Sequence, residues 1–212
     1  YLMSLYQKIF LGDIAARNNI DNIFALRVLI RKLAESIKQP LSFTRATNIV
    51  ASTGTKIGKN TVINYLSYAS DAYLILPVTN IADNIVDKVT NPKYYFIDNG
   101  LLALFLLDPA TSLLENIVAI NLRRKYGDGC YFLTTPKAEV DFYIPEESTA
   151  IQVAYSMADQ DTRKREVDAL IALADYQDVQ HLLIVTKYDE ETREEKGKVI
   201  SVIPLWKWLM TM

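Results

Sequence analysis

The sequence predicts an α/β chain in two parts: a helical N-terminal region, then a mixed sheet flanked by helices. Two observations carry this. Up to about residue 97 apolar residues recur mainly at helical spacing, and from residue 98 short alternating or apolar runs bounded by turn residues take over. The composition is that of an ordinary globular chain, half apolar and 23% charged. A length of 212 residues suffices for two small cores, and the boundary is expected between domains 1–97 and 98–212.

The elements follow in order. The chain opens at Tyr1 on an amphipathic run (Leu2, Leu5, Ile9, Phe10) with no initiator methionine and no signal-peptide layout, so it is expected to be a piece of a longer protein. Asp21 is the expected N-cap of a helix carrying Ile23, Leu26, Ile30 and Leu33, which Pro40 closes. A helix from Phe43 to Ala51, a turn at Ser52-Thr53-Gly54-Thr55, and a helix from Lys59 to Asp71 come next. Strands from Tyr73 to Val78 and from Lys93 to Ile97 enclose a polar loop. Helix, helix, turn, helix and hairpin is the order of a winged helix.

Asp98-Asn99-Gly100 reads as the turn between the domains, and Leu101 to Leu107 as a short buried helix. A helix with Leu113, Leu114, Ile117, Val118 and Leu122 ends in Arg123-Arg124-Lys125, cations suited to a helix C-terminus. Strands are expected at Cys130–Thr134, Glu139–Ile144 and Ala150–Tyr155, a helix at Asp161–Ala174, strands at His181–Thr186 and Lys198–Ile203, and a closing helix from Pro204.

Composition excludes several classes. A net charge of −2 is not that of a strongly basic nucleic-acid coat, although a local basic patch fits within it. The single cysteine, Cys130, points to a reducing, cytoplasmic setting and to a packing role. No apolar run is long enough to span a membrane. His181, the one histidine, has no partner motif for a catalytic triad. Trp206 and Trp208 straddle the closing helix and read as core and docking surface.

The sharpest constellation lies in the second part. Strand alternation puts Glu139 and Asp141 on one face and Gln152 and Ala154 on one face of the next strand. Paired strands bring Asp141, Gln152 and Ala154 together, with Glu115 approaching from the preceding helix. This arrangement resembles the PD-(D/E)XK restriction-endonuclease superfamily, in which carboxylates hold Mg²⁺ and a lysine positions the attacking water. The resemblance gives Asp141 and Glu115 the acidic places and implies a restriction-endonuclease-like fold for 98–212. It departs at Gln152, where the pattern has Glu, and at Ala154, where it has Lys; Lys164 is the substitute within reach. The expectation is a degenerate site, with Glu115 and Asp141 holding at most a weak Mg²⁺.

Runs along the whole chain extend the likeness: Gly54-Thr55-Lys56, Asn60-Thr61-Val62, Asp71-Ala72-Tyr73-Leu74, Tyr94 to Leu101, Leu113-Leu114-Glu115-Asn116, Glu139-Val140-Asp141-Phe142, and Val202 to Leu209. They resemble the C-terminal half of a large group of bacterial and archaeal AAA-type ATPases that ends in a domain of unknown function. The resemblance implies an N-terminal P-loop module, with its ATP, outside this sequence. The stretch from Gly54 to Asn60 is not that loop. Its glycines are one residue too close, Asn60 stands where Ser or Thr meets Mg²⁺, and it follows a helix.

Arg45, Lys56, Lys59, Asn60 and Asn64 cluster on or near the N-terminal face of the third helix, suiting phosphates and base edges of double-stranded DNA. The leading expectation is a non-catalytic DNA-binding or regulatory region partnered with its own ATPase module. A divergent Mg²⁺-dependent nuclease and a docking or homo-oligomerisation module are the alternatives.

Overall fold

A computed structural model describes residues 1–136, 138–175 and 178–212. The chain divides into two compact units, residues 1–77 with 85–109 and residues 78–84 with 110–212.

The first unit is built on helices. α1 (Leu2–Gln7) runs on as a π-helical stretch, Lys8–Ala16. α2 (Ile23–Glu35) is capped by Asn22, not Asp21: the Asn22 carboxamide oxygen accepts from the Ala25 amide at 2.9 Å. α3 (Phe43–Ala51) is capped by Ser42, and α4 (Lys59–Asp71) begins after Gly58. Gly54, at φ +82°, makes the left-handed turn between them, which a Cβ would strain. Leu26, Leu29, Ile30, Ala46, Val50, Val62 and Ala69 are all fully buried.

β1 (Ile75–Val78) and β2 (Lys93–Phe96) form a two-stranded antiparallel sheet. The first strand starts later than the sequence implies because Tyr73, exposed and at φ +54°, is a turn residue. The polar loop expected between the strands holds α5 (Ile85–Thr90) instead. Asp98 does not open a linker; its carboxylate accepts from the Leu101 amide at 2.9 Å and caps α6 (Asn99–Ala103). That helix stops well short of Leu107, which is fully exposed.

In the second unit α7 (Ala110–Tyr126) leads into β3 (Tyr131–Thr134), β4 (Glu139–Ile144) and β5 (Thr149–Val153). α8 (Gln160–Ala174) crosses over to β6 (His181–Thr186), and β7 (Glu191–Glu195), β8 (Lys198–Pro204) and α9 (Leu205–Leu209) complete it. Among the described residues the sheet has six strands in the order β3-β4-β5-β6-β8-β7. β5, β6 and β8 run parallel and the outer pairings are antiparallel. The expected pairing of β4 and β5 is present, and it is antiparallel, with Phe142 opposite Ile151.

β7 has no counterpart in the sequence reading. Its residues, Glu-Thr-Arg-Glu-Glu, are partly or fully exposed and make a charged edge, the usual protection of an open strand. Lys196 and Gly197, at φ +50° and +73°, form the two-residue turn into β8. At the other edge the 79–81 segment covers β3. Ile81 donates to the Phe132 carbonyl at 2.9 Å, and the Phe132 amide donates to Thr79 at 3.0 Å. Asn80 fastens it further, its carboxamide bonding both the amide and the carbonyl of Thr134.

Val167, Leu170 and Ile171 of α8 cluster with Val140, Ala150, Ala154, Ile184 and Val202 on one sheet face. Leu122 and Tyr126 of α7 and Trp208 of α9 stand over the other, beside Ile151, Leu183 and Ile203.

Candidate functional site

Strict alternation fails on β4. Tyr131 and Leu133 of β3 face Tyr143 and Val140, so two steps on β3 take up three on β4. The extra residue falls at Asp141–Phe142, opposite Phe132, and makes a bulge. Val140 and Tyr143 therefore both join the apolar cluster under α8, while Asp141 is left half-buried at the bend.

On its other side, β4 parts from β5 at the same point. The backbone pairing ends at Phe142 and Ile151, and side chains take over. Gln152 Oε1 accepts from the Asp141 amide at 2.8 Å, and Gln152 Nε2 donates to the Glu139 carbonyl at 3.0 Å. Asp141 Oδ2 accepts from the Val153 amide at 2.9 Å. Gln152 is buried, so each of these bonds replaces a ladder bond that burial would otherwise leave unmade.

The structure thus brings Asp141 and Gln152 together. Ala154 is buried in the apolar cluster with Met157, Val167 and Leu170, and its amide donates to the Val185 carbonyl at 3.1 Å. Glu115 is buried on α7, the helix standing over the sheet face opposite that cluster. Lys164 lines a groove with Arg163, Asp168, Arg193 and Glu195, on the β7 side of α8.

Arg165 is a cation whose charge interacts with Asp141. Its guanidinium bonds the buried Glu166 carboxylate at 2.6 and 3.2 Å. The hydrogen bond and charge of Glu166, then the charges of Asp141 and Glu139, push the guanidinium above its usual range. Sequence reading missed Arg165 and Glu166, because nothing in a helical Arg-Glu pair announces partners on β4.

One Asp141 oxygen accepts from Val153, the Gln152 oxygen accepts from Asp141, and Arg165 adds positive charge nearby. Among the described residues no group of three or more His, Cys, Asp or Glu is arranged to hold a metal.

In the first unit Arg45, Lys56, Lys59, Asn60 and Asn64 are all exposed. Arg45 lies in the first turn of α3, Lys56 in the turn before α4, and Lys59, Asn60 and Asn64 on α4 itself. Among the described residues the three cations have no ion-pair partner. Arg123, Arg163, Arg165, Arg193 and Lys207 in the second unit, by contrast, each hold a carboxylate.

Fold and site together define a two-part α/β protein, a helical module followed by a mixed-sheet module whose β4–β5 opening is closed by side chains. The sequence profile of a domain of unknown function, DUF8612, matches residues 1–112, and the chain belongs to that family. It is 31% identical to an uncharacterized protein of Methanocaldococcus jannaschii, over 96% of this chain and 48% of that protein. It is 28% identical to an uncharacterized protein of Haemophilus influenzae, over 99% of this chain and 52% of that one. The chain therefore spans about half the length of these curated relatives. No solved structure matches it. Among the described residues no helix is long and apolar enough to cross a membrane.

Proposed function

We propose that the chain is a non-catalytic, DNA-binding region of a larger cytoplasmic prokaryotic ATPase of the AAA type. The observation that carries the DNA contact is the set of exposed, unpaired cations at the α3–α4 elbow, Arg45, Lys56 and Lys59, beside Asn60 and Asn64. Unpaired cations at a helix–turn–helix elbow suit phosphate contacts, and the two asparagines offer bidentate groups for base edges.

The mixed-sheet unit serves in this reading as a scaffold. Its nuclease-like positions hold the Gln152 bridge and the Ala154 core contact, which supports a non-catalytic role. The matched relatives are about twice as long as the stretch they share with this chain, which leaves room in them for a nucleotide-binding module.

Fluorescence anisotropy with a labelled duplex tests the reading. Wild type is expected to bind with strong salt dependence, and Lys56→Ala/Lys59→Ala to bind more weakly with a log–log salt slope smaller by about 2. Absence of duplex binding by wild type at low salt defeats it and leaves protein docking in first place.

A further inference from the structure

Across the α7 side of the second unit's sheet runs a cleft of about 380 Å³, within the roughly 300–1,000 Å³ of small-molecule pockets. Ile151, Leu183 and Ile203 form its floor, with Leu122 and Trp208 as walls. Leu183 and Ile203 stay partly exposed although they sit on central strands, because α7 and α9 leave the sheet between them incompletely covered.

The rim carries both charges. Lys125 Nζ and Glu147 Oε1 stand 3.8 Å apart, each side chain more than two-fifths exposed. The Lys125 ammonium also lies over the Tyr126 ring, 5.0 Å from its centroid. His181 lies across the floor at the start of β6. A loose pair this exposed is stabilised little by its own attraction, so exchanging it for a ligand's charges costs little.

We propose that this cleft binds an apolar α-amino acid. The ligand's side chain covers Ile151, Leu183 and Ile203 and packs against Trp208. Its ammonium takes Glu147 and its carboxylate takes Lys125, with His181 in reach. The 3.8 Å spacing of the rim charges suits a ligand whose ammonium and carboxylate are carried on one carbon. An α-amino acid has that geometry, whereas an extended peptide holds its terminal charges too far apart. The site lies in the second unit and stands apart from the DNA-binding reading, which rests on the first.

Trp208 is a reporter already in place. In the full chain carrying Trp206→Phe, titration with L-phenylalanine or L-leucine should give a saturable change in Trp208 fluorescence with a Kd below about 1 mM. Phenethylamine, which lacks the carboxylate, and 3-phenylpropionate, which lacks the ammonium, should each bind about tenfold or more weaker. Lys125→Ala and Glu147→Ala change exposed rim positions and should each weaken phenylalanine without altering the circular dichroism of the chain. No saturable response by about 10 mM overturns the proposal. So does equal affinity for either truncated ligand, which would mark an apolar cation or anion site, and so does undiminished binding by both rim variants. Duplex binding is measured separately, so failure here leaves the elbow reading as it stands.

Discussion

Gln152 and Asp141 hold each other across the point where β4 and β5 stop pairing through their backbones: the Asp141 amide donates to Gln152 Oε1 at 2.8 Å. The second bond of the bridge, from Gln152 Nε2 to the Glu139 carbonyl at 3.0 Å, needs a donor. At neutral pH an amide meets an N–H with one end and a C=O with the other, whereas an ionised carboxylate can only accept. Glutamine therefore suits this bridge at neutral pH.

Gln152→Glu should accordingly destabilise the second unit. The new carboxylate still accepts from Asp141 but faces the Glu139 carbonyl with no hydrogen, at a cost of about 1–3 kcal/mol and a melting shift of roughly 3–10 °C. Facing that carbonyl raises the introduced carboxyl's folded pKa above its unfolded value of about 4.3, so the deficit should be largest near neutral pH and shrink as acid protonates it. Calorimetry at pH 7 and pH 4.5 measures both, and a variant melting with wild type at pH 7 removes the bridge from the account.

Ala154→Lys should be worse. The residue is 5% exposed among Val140, Met157, Val167 and Leu170, so a lysine either buries its charge or forces α8 away. A loss of about 3 kcal/mol or more is expected. Restoring the nuclease-like pattern with Gln152→Glu and Ala154→Lys together should thus yield a poorly folded chain without cleavage activity. A soluble double variant with wild-type melting would show that the α8 packing tolerates the charge.

What was legible in the sequence follows the range of the interactions. α3 and α4 match their expected bounds, because helical periodicity and the Ser52–Thr55 turn are local signals. β4 and β5 were placed as neighbours for the same reason. β7 was missed because an exposed edge strand needs no apolar face. Its one local mark, the Lys196-Gly197 turn, follows a run dense in carboxylates and precedes the apolar run of β8. The bulge at Asp141 and the Arg165–Glu166 pair were out of reach because each depends on a partner in another element. The N-cap was misassigned by one residue, since Asp21 and Asn22 are both good caps and only backbone geometry chooses.

Cys130 should be inert in the native chain. Burial pushes its thiol up to about 12, with Arg123 pulling partly the other way. At pH 8 that leaves a thiolate fraction of about 10⁻⁴, against roughly a quarter for an ordinary exposed thiol. Iodoacetamide should alkylate native protein at least about a hundredfold more slowly than protein in guanidinium, as read by intact mass. Comparable rates would mean that the β3 end opens readily.

The last expectation concerns Arg165, whose guanidinium supplies positive charge among Glu139, Asp141 and the buried Glu166. A divalent cation entering that corner is repelled by it and finds one Asp141 oxygen already holding Val153. Arg165→Ala removes the repulsion and leaves the carboxylates, so Mn²⁺ should bind the variant about three- to tenfold tighter than wild type at low ionic strength. The gain should fade in high salt, because Arg165 is mostly exposed and its field is screened. Electron paramagnetic resonance of free Mn²⁺ reads both affinities directly. Tighter binding need not bring chemistry: hydrolysis requires an aligned water, and Ala154 has no group to place one. Neither wild type nor Arg165→Ala should cleave single- or double-stranded DNA with Mg²⁺ or Mn²⁺. Cleavage by wild type that disappears in Asp141→Ala would reverse this assignment and make the β4–β5 opening an active site.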